Sequence, residues 1–92
     1  LDIHDITQEE SFEIEPNSSH NYAVKLELNG NIDGQSLLFL ISRNSGFKKE
    51  IPLTGKIDTC FRFDWYQEKG KIIYQPVSVN SGELRIRYIF YD

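Results

Sequence analysis

Alternation of apolar and polar residues with a period of two dominates the chain. It is clearest over residues 21–28, 57–66 and 83–91. A β-strand with one buried and one solvated face produces this pattern, because successive side chains point to opposite faces. The inward positions of these runs, with Phe39 from a further apolar run, form the predicted core: Tyr22, Val24, Leu26, Phe39, Phe61, Phe63, Leu84, Ile86 and Tyr88.

Clusters of turn-forming residues separate the apolar runs. They are rich in Gly, Asn, Ser and Pro and lie at residues 16–19, 29–34, 44–46, 54–55, 67–70 and 80–82. Gly and Asn adopt the backbone angles of tight turns at little cost. Short strands divided by such turns are typical of β-sandwiches and barrels. The sequence therefore predicts one all-β domain over residues 1–92, an antiparallel sandwich of seven to eight strands with jelly-roll or immunoglobulin-like topology.

One predicted strand departs from the alternation. Residues 37–41 read Leu-Leu-Phe-Leu-Ile and are apolar on both sides. A loop or the N-terminal segment 1–8 could cover the second face, or a partner could. If Leu38 and Leu40 face outward, they would join Ile73, Ile89 and Tyr91, which also occupy outer positions, in an exposed apolar patch. Such patches usually mark interaction sites.

The segment Asp64-Trp65-Tyr66 ends the longest alternating run. Trp65 is in phase with Phe61 and Phe63, so we expect it in the core. Arg62 and Tyr66 fall on the outer side. Tyr and Arg are residue types that often supply much of the energy of a binding surface, and these two complete the predicted binding residues with Leu38, Leu40, Ile89 and Tyr91.

The charge of the chain limits the classes of partner that it could bind. The net charge is −4, with a pI of about 5.1, so the chain lacks the basic footprint that nucleic-acid binding requires. Residues 1–33 carry eight acidic side chains against one basic one, Lys25. This acidic third is either a solvated edge or a face that steers a basic partner. No apolar run approaches the roughly 18 residues of a membrane span.

Residues 29–34 read Asn-Gly-Asn-Ile-Asp-Gly and resemble the opening of an EF-hand calcium loop. The bidentate Glu at the twelfth position of such a loop would fall on Leu40, which cannot bind a metal. We interpret the segment as a Gly-rich turn, with a weaker calcium site as the alternative. His4, His20 and Cys60 do not have a zinc-site spacing, so no cofactor is predicted.

The sequence contains few arrangements of residues that could form a catalytic site. Cys60 has no histidine fixed beside it in the sequence, and a reactive thiol needs a lowered pKa. Asp58 and Asp64 lie about 20 Å apart along a strand, too far to act as a carboxylate pair. No phosphate-binding glycine loop or nucleophile elbow is present. The sequence therefore predicts a protein that is not an enzyme.

The strand-and-turn pattern resembles small extracytoplasmic β-sandwich domains of bacteria, including jelly-roll modules appended to larger proteins, although no motif is specific to one family. This resemblance implies a secreted or periplasmic location. The predicted function is a non-catalytic binding or assembly module that engages another protein or forms a homo-oligomer. The alternative is a carbohydrate-binding module that uses exposed aromatic residues such as Tyr66 and Tyr91.

Overall fold

The chain forms a single open antiparallel β-sheet of four strands in the computed structural model. The structure describes residues 2–3, 5–16, 22–43, 46–65 and 69–91. The all-β class is confirmed, but the sheet has four strands instead of a sandwich of seven to eight. In this part of the chain, no helix is long and apolar enough to cross a membrane. In chain order the strands are β1 (Glu10–Ile14), β2 (Ala23–Ser42), β3 (Lys48–Asp64) and β4 (Gly70–Tyr91), and their spatial order is β1-β4-β2-β3.

Three predicted turns lie inside strands, which is why fewer and longer strands form. Residues 29–34 belong to β2, residues 54–55 to β3 and residues 80–82 to β4. The register shifts at Ile32/Gln35 between β2 and β3, and at Asp33/Gly34 and Gln35/Ser36 between β2 and β4. A glycine inside a strand often produces such a bulge, which bends the strand without ending its ladder.

The bulges bend the long strands sharply. A straight strand of 22 residues would be about 73 Å long, whereas the longest dimension of the molecule is 41 Å. Gly34 and Gly82 have φ angles of 128° and 142°, which side-chain-bearing residues rarely adopt. A Cβ atom at Gly34 would also collide with the Ser78 carbonyl oxygen, and one at Gly82 with the Asn31 carbonyl oxygen. Glycine is therefore required where β2 and β4 cross the bend.

The bend divides the sheet into two halves. Half A contains residues 23–29 of β2, 57–64 of β3 and 84–91 of β4, and half B contains residues 36–42, 48–53 and 70–76 with β1. The ends of the halves meet, because the ring of Phe47 lies 5.8 Å from that of Phe63 and 6.0 Å from that of Trp65. The two edge strands, β1 and β3, do not pair with each other, so the curled sheet remains open.

The core lies on the inner face of this curled sheet. In β2 the even-numbered residues point inward along the whole strand, from Val24 in half A to Leu40 in half B. Trp65 is buried as expected. The predicted core residues Val24, Leu26, Leu84 and Ile86 are buried, and Phe61, Phe63 and Tyr88 are half-buried against them.

Two predicted core residues are placed wrongly. Tyr22 precedes β2 and is 42% exposed. Phe39 is an odd-numbered residue of β2 and therefore lies on the outer face. The error at Tyr22 arises because the alternation continues past the residue where β2 begins. The error at Phe39 arises because the turn predicted at residues 29–34 would separate two independent strands, whereas β2 continues through it with one phase.

The N-terminal segment covers part of the open inner face. Ile3 and Ile6 are buried in the core. The Ile3 backbone N–H donates to the Leu84 carbonyl oxygen at 3.0 Å, and the Tyr74 hydroxyl donates to the Ile6 carbonyl oxygen at 2.7 Å. Because Leu84 lies in half A and Tyr74 in half B, this segment ties the two halves together.

Candidate binding surface on the outer face

Leu38 and Leu40 do not belong to an outer surface. Both have no exposed area and point into the core. The expectation that they face outward is wrong, because five consecutive apolar residues carry no alternation from which to read the phase. The phase comes from the unbroken β2, which keeps even-numbered residues inward from Val24 onward.

The outer apolar residues of half B are instead Leu37, Phe39 and Ile41, with Ile73 from β4. Phe39 is directly opposite Ile73, and all four side chains are half-buried. The Lys48 ammonium lies 4.9 Å from the centre of the Phe39 ring. Since a long lysine side chain can cover apolar surface with its methylene groups, this face is partly shielded by the chain itself.

Three predicted binding residues do come together on the outer face of half A. Arg62 of β3 is opposite Lys25 of β2, and Lys25 is opposite Ile89 of β4. The Arg62 guanidinium carbon lies 4.9 Å from the centre of the Tyr91 ring and 5.7 Å from that of Tyr22. We call Tyr22, Arg62 and Tyr91 the tyrosine–arginine cluster. Tyr66, the remaining predicted binding residue, lies outside the described residues.

Charged side chains lie next to this cluster, in the adjacent cross-strand row that contains Glu27 and Arg87. Glu27 forms ion pairs with two cations, at 3.3 Å from the Lys25 Nζ and 3.8 Å from the Arg87 Nη1. The hydrogen bond to Glu27 raises the pKa of Lys25 above its usual value, and the nearby Tyr91 contributes less. Lys25 therefore keeps its charge to a higher pH than usual, and Glu27 balances part of the positive charge of this face.

The free edge of the sheet runs beside the cluster. Among the described residues, β3 pairs only with β2, so its other side has no strand partner. The outer-face residues of β3 from residue 56 to residue 64 are exposed: Lys56, Asp58, Cys60, Arg62 and Asp64. An unpaired edge presents N–H and C=O groups to which another strand can bond.

A cleft of about 410 Å³ in half A is lined by residues of β2, β3 and β4. Its lining includes Cys60, Asp58, Glu27, Arg85 and Arg87. The Cys60 thiol is free and exposed. No described residues form a group of three or more His, Cys, Asp or Glu side chains that could hold a metal ion. His4 and His20 lie outside the described residues.

The segment that resembles a calcium loop is strand, not loop. Asn29, Asn31 and Asp33 alternate along β2 with Gly30 and Ile32 between them. A calcium loop wraps its oxygen atoms around one centre. An extended strand instead places alternate side chains about 7 Å apart along one face. The backbone of this segment therefore does not have the shape of an EF-hand site.

The acidic N-terminal segment is matched by basic residues from later in the same chain. Asp2 pairs with Arg85 at 3.0 Å, Glu13 with Arg43 at 2.6 Å and Glu15 with Lys69 at 3.7 Å. All of these side chains are more than half exposed, so each pair adds little stability. Part of the acidic surface is therefore neutralised by basic residues of the same domain. This favours the interpretation of the acidic third as a solvated edge over its interpretation as a face that steers a basic partner.

Sequence reasoning missed Tyr22 and the free edge of β3 as parts of this surface. The alternation put Tyr22 inward, in phase with Val24. Its backbone extends the ladder, since its N–H donates to the Tyr91 carbonyl oxygen at 2.9 Å and its carbonyl accepts from the Trp65 N–H at 3.0 Å. Strand order, which exposes one edge, is a property of long-range pairing and has no local sequence signal.

Neither a protein-family model nor a curated protein sequence matches this chain.

Proposed function

We propose that this domain is a non-catalytic binding or assembly module that engages another protein through half A. The contact surface combines the free edge of β3 with the tyrosine–arginine cluster beside it. The partner contributes a β-strand that adds to this edge. Main-chain hydrogen bonds would supply affinity, and the side chains of the cluster would supply specificity.

The observation that carries this proposal is the position of Arg62 between Tyr22 and Tyr91. Its guanidinium lies over both rings, at 5.7 Å and 4.9 Å from their centres. Tyr and Arg are the residue types most enriched at the energetic centre of protein interfaces. Side chains already held in place lose less conformational entropy when a partner binds. This cluster is therefore prepared for binding, unlike isolated surface residues.

Panning a library of displayed random peptides against the domain tests this proposal. We expect selected peptides to bind the wild-type domain and to lose at least tenfold in affinity with Arg62→Ala or Tyr91→Ala. Glu50→Lys lies on the same strand in half B and serves as the control, which should bind as the wild type does. Selected peptides that bind all these variants equally, or a library that yields none, would contradict the proposal.

A carbohydrate ligand is the second candidate, because Tyr22 and Tyr91 lie on the same outer edge of half A. Sugar rings stack on exposed aromatic faces, but Arg62 already lies over both rings. A sugar would have to displace the guanidinium or use the opposite face of a ring. Binding on a glycan array that is lost with Tyr91→Ala would favour this candidate. The extracytoplasmic location and the absence of enzymatic activity stay predictions.

A further inference from the structure

The free edge of β3 at half A, extended by Lys56, has a self-complementary sequence. Residues 56–64 of β3 read Lys-Ile-Asp-Thr-Cys-Phe-Arg-Phe-Asp, with Cys60 at the centre. On the outer face, Asp58 and Arg62 lie two residues before and after Cys60. Lys56 and Asp64 lie four residues before and after it. All five of these outer side chains are exposed.

We propose that the partner strand is β3 of a second copy of this chain. The two β3 strands pair antiparallel about a twofold axis, with Cys60 of one copy opposite Cys60 of the other. This inference rests on the proposed function, since it names the protein that the edge engages. A twofold axis makes each contact occur twice, so a self-complementary strand is what such an interface requires.

Opposite charges face each other in this register. Residues that sum to 120 are paired, so Asp58 is opposite Arg62 and Lys56 is opposite Asp64, each twice. Directly opposed side chains of an antiparallel pair lie on the same face and close together. Four cross-strand ion pairs therefore form on the outer face of the joined sheets.

Neighbouring registers bring like charges together. An axis at Thr59 places Lys56 opposite Arg62, and an axis at Phe61 places Asp58 opposite Asp64. An axis at Asp58 or Arg62 itself would set that residue against its own copy. Because like charges directly opposed destabilise a sheet, only the axis at Cys60 among these five avoids repulsion.

The inner face of the edge also gains from a second copy. Phe61 and Phe63 stack with ring centres 6.2 Å apart, and both are only half-buried. In the proposed register Phe63 is opposite Ile57, and Phe61 is opposite Thr59. The second copy would cover the side of each ring that β2 leaves open. The joined sheets would then have continuous inner faces.

Sedimentation velocity over a range of concentrations tests the register under reducing conditions. The wild type should pass from monomer to dimer as concentration rises, because an edge-to-edge interface is small. Asp58→Arg alone, or Arg62→Glu alone, should weaken the dimer at least tenfold. The double variant with both substitutions should restore it, since the charges are exchanged. Glu50→Lys makes an equal charge change on the other half of β3 and should leave the dimer intact.

Disulfide trapping locates the axis independently. Opposed residues of an antiparallel ladder have Cα atoms about 4.5 or 5.5 Å apart, and a disulfide accepts about 4.4–6.8 Å. Oxidised glutathione should therefore link two copies through Cys60: the two thiols lose two protons and two electrons, and the reagent becomes two molecules of glutathione. Cys60→Ser should abolish the covalent dimer but keep the non-covalent one.

Three outcomes would overturn the self-pairing. They are a wild type that stays monomeric at every concentration, a double variant that does not recover, and a Glu50→Lys variant as defective as Asp58→Arg. The peptide panning described above is an independent measurement. A monomeric domain that still selects peptides through Arg62 would refute the second copy as partner while retaining the proposed function.

Discussion

Halves A and B are built from the same three long strands, yet their outer faces differ. Half B presents Phe39 and Ile73, shielded in part by Lys48, and its β4 edge is capped by β1. Half A presents the tyrosine–arginine cluster, and β1 does not extend along its β4 edge. Among the described residues, the β3 edge is open in both halves. One strand can therefore serve packing in one half and recognition in the other, because a glycine bend separates them.

The largest effect should come from breaking the bend that creates the two halves. Gly34→Ala places a side chain on a residue with φ of 128° and against the Ser78 carbonyl. We expect a loss of about 4 kcal/mol or more in the free energy of unfolding. Urea denaturation measures it.

Gly46→Ala is the matched control for the bend. Gly46 also has a positive φ, 74°, but a Cβ atom there would meet nothing within 4 Å. We expect it to cost only about 1–2 kcal/mol, the strain of the left-handed conformation. Equal losses at the two positions would show that the close approach of β2 and β4 at Gly34 is not important.

The second prediction compares the two faces of β2 in half B. Leu38→Ala empties a fully buried position and should cost about 2–5 kcal/mol. Leu37→Ala removes the same atoms from the outer face next to it and should cost about 1 kcal/mol or less. Thermal unfolding of both variants checks which residues of β2 face inward. A larger loss of stability for Leu37→Ala than for Leu38→Ala would show that the inner and outer faces are assigned the wrong way round.

The third prediction concerns the link between the halves at Tyr74. Tyr74→Phe removes the hydroxyl that donates to the Ile6 carbonyl at 2.7 Å and should cost about 1 kcal/mol at neutral pH. Urea denaturation of both proteins measures the difference. A cost near zero would mean that this hydrogen bond does not help to hold the N-terminal segment.

Tyr74 should also make stability depend on alkaline pH. Burial raises the pKa of Tyr74 above its ordinary value of 10.0. The unfolded chain therefore releases this proton at a lower pH than the folded one, and stability falls as pH rises above that value. Measured between about pH 8 and about pH 11, the advantage of wild type over Tyr74→Phe should shrink. An advantage that is constant or grows would contradict the assignment.

The smallest effect on stability should come from the tyrosine–arginine cluster. Arg62→Ala should cost about 0.5–1 kcal/mol, because the interaction of Arg62 with the two rings is exposed. The thermal midpoint would hardly move, although peptide selection through half A would be lost. A cost of several kcal/mol would instead assign Arg62 a structural role and weaken the contrast between the halves.

The sequence predicts the strands of this fold better than their arrangement. Alternation identified the inward faces around Leu26 and Ile86, because each lies in a strand with one wet face. It failed at Leu38, where an apolar run on both sides hides the phase. It also failed at Gly34, because the residues that form a tight turn are the ones that form a bulge within a strand. Which of the two occurs depends on whether the flanking strands stay paired.

The candidate surface was predicted in part for the same reason. Arg62, Ile89 and Tyr91 lie in clearly alternating strands, so their outward positions could be read from the sequence. That Arg62 lies beside Tyr91 depends on β2 lying between β3 and β4, which no local pattern encodes. Tyr22 could not be placed because the alternation continues past the residue where β2 begins.

The central position of β2 also constrains the order of folding. Its pairing with β3 begins at Ile41 and Lys48, which are close in the chain, and can extend residue by residue. Its pairing with β4 comes no closer in the chain than Ser42 and Gly70, with all of β3 between them. Closing such long loops is entropically costly and slow. The β2–β3 hairpin should therefore form first, and β4 should complete the sheet in the rate-limiting step.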